Sequence, residues 1–206
     1  MSSPPHHQPP LVGLSFDDGP DPRWTGEVAR ALDRLRVRAT FFVCTARLGQ
    51  TGSRALRDLR AAGHEIGLHG HGHLDHAGTP APRVRSDTER ALAVLARLGL
   101  RPRLWRTPWG RVGPITFELA ARHRLALVGW DVDTHDWAGD PWRAMLASCS
   151  PALGPGSIVL LHDSAGPGAR RRGCGQTVAL LGPLVAAIRG IGCQPTTVGD
   201  LAAGAR

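Results

Sequence analysis

The chain has 206 residues, 42% hydrophobic and 20% charged, with a net charge of +8. That length suits one domain with a sizeable core, and the 26 Gly and 17 Pro lie scattered between periodic segments, which excludes a fibrous or low-complexity chain. All 25 basic residues are Arg, spread over several predicted helices rather than massed in one block, so the charge reads as coding bias and argues against a nucleic-acid surface.

The opening "MSSPPHHQPP" has no positive n-region and no apolar stretch. It is expected to be a disordered lead-in over residues 1–10, followed by one folded domain over 11–206. No run is long enough to cross a bilayer, so no membrane insertion is expected. The expected location is the cytoplasm, with export by an unrecognised route left open.

The first predicted strand, "LVGLSF", ends in two adjacent acids, Asp17 and Asp18, before Gly19-Pro20. Like charges side by side suit either an Asx-type turn in solvent or a site where a cation neutralises one acid and a basic partner holds the other. In the second case Asp18 is a candidate metal ligand, and Asp17 a candidate base for water whose pKa the metal lowers.

Next comes a helix in "WTGEVARALDRLRV", with Val28, Leu32 and Leu35 at helical spacing. The strand "ATFFVC" follows, in which Cys44 reads as a small buried apolar residue. After the helix "SRALRDLRAAG", the strand "HEIGLHG" runs into five histidines: His64, His69, His71, His73 and His76. His69 and His73 are four apart, so on a helical turn both imidazoles would face one way. Two imidazoles and a carboxylate form a catalytic zinc set; a histidine-rich loop binding metal only opportunistically is the plainer alternative.

"SDTERALAVLARLGL" is read as a helix opening with a capping box, Ser86 and Glu89, and closing at Gly99. The strand "RLWRTP" carries Arg106 into a Pro-aromatic-Gly turn, where it could hold a base by a charge-assisted hydrogen bond or make an ordinary surface salt bridge. A helix in "PITFELAARHRL" precedes the strand "ALVGWDVD". The following acids Asp131, Asp133, Asp136 and Asp140, beside two tryptophans, suggest a sugar platform, although tryptophans more often fill cores. A helix "PWRAMLAS", the strand "SIVLLHD" with His162 at its end, the long helix "QTVALLGPLVAAIRGIG" and a weak strand in "CQPTTVG" complete the chain. His162 is either structural or a general acid working near neutral pH. The four cysteines lack C-x-x-C spacing, which disfavours a cysteine zinc site and leaves a Cys174–Cys193 pairing open.

Strands alternating with helices imply a parallel sheet, and about seven such units fit a distorted or incomplete (β/α)-barrel. No Gly-rich phosphate fingerprint follows the first strand. Asp17, Asp18, His69, His73, Arg106, Asp133, Asp136 and His162 all fall near the C-terminal ends of predicted strands. In a parallel barrel those ends share one rim, where active sites are built.

"SFDDGP", "HGHGH", "RTPWG", "DTHDW" and "LLH", in this order, resemble the five motifs of the polysaccharide deacetylases, the NodB-homology domain of carbohydrate esterase family four. Each string is weak alone; the ordered set is specific, and it runs from about Leu11 to Val198. The resemblance implies a distorted barrel and a metal-dependent hydrolase removing N-acetyl groups from N-acetylglucosamine-type sugars or glycans. It implies Asp17 as catalytic base, with Asp18, His69 and His73 as metal ligands and Arg106 as the base's partner. It further implies Asp136 as the acid tuning His162, the general acid, Trp137 as groove wall and Leu160 as acetyl-methyl pocket. The backbone N–H of Trp109 matches an oxyanion donor. Zinc is the expected metal, with cobalt, nickel or iron(II) fitting the same donors. A small soluble N-acylated amino sugar is the alternative substrate, and a non-catalytic sugar-binding module the alternative class. The oligomeric state is left open. The chain departs from the family at Gly70 and His71, where Ser or Thr and often a bulky residue stand, and at Trp109, often Tyr. His71 is expected to point away from the metal.

Overall fold

Val12, Leu14 and Phe16 alternate with Gly13, Ser15 and Asp17 along the first strand, β1 (Leu11–Asp17), and all six are buried. A strand buried on both faces belongs at the centre of a covered parallel sheet. The computed structural model, which describes residues 9–204, places it there. Residues 1–8 of the anticipated lead-in lie outside the described residues.

Helices and strands then alternate. α1 (Trp24–Leu35), β2 (Thr40–Cys44), α2 (Gly49–Ala61), β3 (Glu65–Gly70) and α3 (Ala81–Arg97) come first. They are followed by β4 (Leu104–Trp105), α4 (Pro114–His123), β5 (Ala126–Leu127), β6 (Val132–Asp133) and α5 (Trp142–Cys149). β7 (Ile158–His162), α6 (Gly175–Gly190), β8 (Gln194–Thr196) and α7 (Val198–Gly204) close the described chain. Seven strands run in the order β5-β4-β3-β2-β1-β7-β6, β8 pairs with β1, and every ladder is parallel. The curled sheet in one α/β domain is the architecture anticipated.

The two faces of β1 look into different cores. Val12, Leu14 and Phe16 join the larger core between sheet and helices, which includes Leu32, Leu56, Leu95 and Leu184. Phe16 stacks on Phe41 at 5.0 Å, an aromatic contact worth about 0.5–1.5 kcal/mol beyond its burial. The other face borders a small inner core of Phe42, Leu104 and Val198. α7 plugs the start of the barrel: a Cβ on Gly13 would touch Leu201 and Val198, and the Val198 and Gly199 N–H groups donate to Thr40 Oγ1 and Glu65 Oε2.

Several boundaries differ from expectation. The single strand read over residues 126–133 is two, on opposite edges of the sheet. Val128 N–H still donates to Trp105 O, while Asp131 N–H donates to Ile158 O, so Gly129 and Trp130 carry the chain across the gap. α3 starts at Ala81, not at Ser86, because Pro82 sits in the first turn, where its missing N–H costs nothing. Ser86 and Glu89 therefore lie inside the helix and form no capping box. α2 likewise begins at Gly49, and α7 was not anticipated. All four cysteines are buried and free, so Cys174 and Cys193 do not pair. No helix among the described residues is long and apolar enough to cross a membrane.

Candidate active site

Asp17 ends β1 on its inner face, beside a fully buried arginine. Arg106, immediately after β4, is fully buried; its Nη1 donates to Asp17 Oδ1 (2.9 Å) and Ser15 Oγ (2.8 Å), and its Nη2 to Gly129 O (2.7 Å). The guanidinium lies 4.3 Å from the centre of the Phe42 ring. This is not the surface salt bridge that was the alternative. Removing either member would strand the other charge, at a cost of about 3–5 kcal/mol, and the bond to Arg106 fixes the aim of Asp17.

Asp18 turns the other way because its backbone is left-handed, at φ 75°. Its Oδ1 lies 3.4 Å from His69 Nε2 and 3.0 Å from His73 Nε2, and the ligand atoms of the three residues lie within 4.8 Å of one another. The anticipated helical turn between the histidines does not form: His69 is within β3, and His73 reaches back from a bend with φ 54°.

The donor set fits a divalent cation. His69 Nδ1 lies 2.7 Å from the carbonyl of Arg106, which can only accept, so Nδ1 carries the proton and Nε2 presents a lone pair to Asp18. Asp18 Oδ1 is buried without an aligned hydrogen bond despite the short distances. Acceptors converging without a shared proton are what a metal ion reconciles. Burial alone would raise the Asp18 carboxyl; the close approach of His69 and His73, with the charge of His162, outweighs it and holds the group far below the usual carboxylate range.

His162, the last residue of β7, is opposite Asp17 in the ladder. Its Nδ1 is 2.7 Å from Asp136 Oδ1, which leaves Nε2 as the nitrogen free for the cleft. Burial disfavours the imidazolium, but Asp136, supported by Asp17 and Asp18, pushes the His162 pKa up to about 9. Asp136 is itself fully buried; Oδ2 accepts from His162 N–H, Thr177 Oγ1 and Arg171 Nη1. Against burial, which would raise it, His162 and Arg171 hold the Asp136 carboxyl low.

Asp17, Asp18, His69, His73 and His162 line a cavity of about 280 Å³, with Trp109, Trp130 and Trp137 on its walls and Leu160 among its lining. Trp109 is half exposed and meets the His73 ring edge-on at 4.3 Å. Every anticipated site residue except Arg106 and Asp136 borders this cavity, and those two stand directly behind Asp17 and His162. Over it lies the loop after β7, which Arg47 holds through Ser164 Oγ (2.8 Å) and Ala165 O (3.0 Å). Gly166 approaches the Asp18 carboxylate so closely that any Cβ there would collide with it.

The other singled-out residues serve the fold. His64 Nδ1 accepts from Ala39 N–H, His76 pairs with Thr116, and His71 faces Thr45 Oγ1 at 2.9 Å, away from the cluster as expected. Asp131 accepts from Ile158 N–H, and Asp140 is exposed. Sequence reasoning missed Arg171, Ser15 and Asp163, while the two tryptophans offered as a sugar platform, Trp130 and Trp137, both line the cavity. Arg171 also donates to the His162 and Ser164 carbonyls, tying the loop to the Asp136–His162 pair. Asp163 accepts from the Thr25 hydroxyl beneath Gly19. An unbroken "RRR" after a histidine-bearing strand was the available signal for Arg171.

The profile of the polysaccharide deacetylase family matches residues 5–128. The chain is 35% identical over 187 residues to a chitooligosaccharide deacetylase of Bradyrhizobium sp. (strain ANU 289), covering 86% of this chain and 84% of that one. It is 30% identical over 193 residues to a peptidoglycan-N-acetylglucosamine deacetylase of Bacillus cereus, covering 93% and 87%. A solved family 4 carbohydrate esterase from Streptomyces lividans in complex with acetate superposes with a TM-score of 0.80 at 27% identity, covering 90% of this chain and 91% of that one.

Proposed function

The chain belongs to the polysaccharide deacetylase family, and from that premise we propose that it removes the acetyl group from N-acetylglucosamine units of a glycan or its oligomers. As a member it is a hydrolase of the carbon–nitrogen amide bond in N-acetylated sugars. One observation carries the finer reading: Asp17, backed by Arg106, and His162, backed by Asp136, flank the Asp18, His69 and His73 cluster in a single cavity.

A divalent cation held by Asp18, His69 and His73 would polarise the amide carbonyl and make water acidic enough to attack near neutral pH; the donor set favours zinc and also suits cobalt, nickel or iron(II). Asp17, aimed by Arg106, takes a proton from the attacking water. The oxygen adds to the carbonyl carbon, and the backbone N–H of Trp109 donates to the negative oxygen that develops. His162, charged below about pH 9, gives its proton to the nitrogen as the C–N bond breaks. Acetate and a free amino sugar leave. Leu160 packs against the acetyl methyl, and Trp137 offers its ring to the sugar.

The test is acetate release from chito-oligosaccharides of increasing length and from N-acetylglucosamine itself. Release should stop with a chelator and return with zinc, and Asp17→Asn should lose turnover by about 10³-fold or more while retaining one equivalent of metal. Tight sugar binding without acetate would make the protein a binding module instead. Release confined to the monosaccharide would shift the substrate to a small soluble amino sugar.

A further inference from the structure

His69 and His73 reach the same point, but only one of the two rings is steered by its own hydrogen bond. His69 Nδ1 is fixed by the Arg106 carbonyl; His73 Nδ1 is buried and has no partner. The position of the second imidazole therefore depends on the backbone that delivers it, residues 70–73. That backbone follows no regular ladder: Gly70 has φ 131° and His73 φ 54°, both in the region L side chains rarely adopt.

A single carboxylate on the neighbouring helix holds this bend. Asp87, in the second turn of α3, accepts the His71 N–H at Oδ2 (2.8 Å) and the Gly72 N–H at Oδ1 (2.7 Å). A Cβ on Gly70 would stand 3.1 Å from Oδ2, and one on Gly72 3.1 Å from Oδ1, tighter than ordinary contact. Glycine at both positions is what lets the acid reach the backbone. On its far side the loop is pinned by Ala46 N–H to His71 O and by Thr45 to the His71 ring. Charge-assisted bonds to two adjacent amides make a stiff two-point grip.

We propose that Asp87 is a positioning residue for the metal site, acting through the His71 and Gly72 amides to hold the His73 imidazole against Asp18. This rests on the reading of Asp18, His69 and His73 as ligands. Supporting groups of this kind typically change metal affinity by about 10–100-fold.

The experiment is zinc affinity by chelator competition on the full chain, together with amide hydrogen exchange over residues 70–73. Asp87→Asn keeps the shape but sets an NH2 group against one amide. It should weaken zinc about 10-fold or more and speed exchange at His71 and Gly72, and excess zinc should restore kcat. Asp87→Ala should weaken zinc further; if that variant loses its fold, the isosteric Asn variant still decides. Glu89→Gln removes the same charge from the same helix without touching the loop and should stay within twofold of wild type. Zinc affinity within twofold of wild type in Asp87→Asn, or an equal loss in Glu89→Gln, overturns the proposal alone. Wild type that takes up no zinc overturns the ligand reading and the proposal with it.

Discussion

His162 is the residue at which the charge of the cleft can be read out directly. Burial opposes its protonation, yet Asp136 first, then Asp17 and Asp18, raise its pKa from 6.5 to about 9. A raised histidine contributes stability that is complete below pH 6.5 and is lost as pH rises through about 9. Its acid form is thus present at neutral pH, and turnover that needs this proton should fall on the alkaline side. In the metal-free protein, an NMR titration of the His162 ring should show its midpoint near 9. Zinc should lower that midpoint, since a cation beside Asp18 opposes the imidazolium. Asp136→Asn removes the largest favourable charge, so it should shift the midpoint and the alkaline limb of kcat down by a unit or more and cut kcat by about 10–100-fold. An unmoved limb would take Asp136 out of that role. Asp17, Asp18, His69, Arg106, Asp136 and His162 were legible because each stands in a short string at the end of a strand. Arg171 and Asp87 were not, because they matter only through partners brought near by folding: Arg171 acts 35 residues from Asp136, and Asp87 16 residues from His71.

Among the elements, β7 and α1 meet at a buried acid. Asp163, one residue past β7, is fully buried and accepts from Thr25 of α1; burial above all, with Asp18 and Asp17, pushes its pKa up to about 7. An acid raised in the fold contributes stability that is whole below the ordinary value of 3.8 and is lost as pH climbs through about 7. Asp163→Asn keeps an acceptor for Thr25 and has no charge to bury. In metal-free protein its melting temperature should match wild type near pH 4 and exceed it at pH 8 by roughly 9–18 °C, about 4 kcal/mol. Parallel pH dependences in the two proteins would sink this account. Element type was largely readable, since periodicity reports which face is apolar; boundaries were weaker. Ser86 and Glu89 mimic a helix start, yet the chain was already helical from Ala81, since a proline in a first turn needs no partner. "ALVGWDVD" looks like one strand because nothing in its pattern says that its halves pair with different neighbours, β4 and β7.

For the whole molecule, alternation of strands and helices fixed the class, and the motif order fixed which ends of the strands gather the chemistry. Closure of the barrel was not readable. It depends on residues 128–131 crossing between edge strands rather than on a ladder, and on α7, a short helix whose packing only the folded chain defines. The result divides the protein into a reactive rim and a plain base.

That base holds both ends of the described chain. Pro10, just before β1, accepts from Gln194 N–H, and Gly204 at the end of α7 lies beside Leu11. The described chain therefore enters and leaves the fold on the side away from the cleft. Coupled to beads through a cysteine introduced at Pro10 or at Gly204, the protein should process a soluble chito-oligosaccharide within about twofold of its free rate in both orientations; a collapse specific to one of them would mean that this position does not face away from the cleft. On an insoluble glycan, such anchorage would present the working mouth outward.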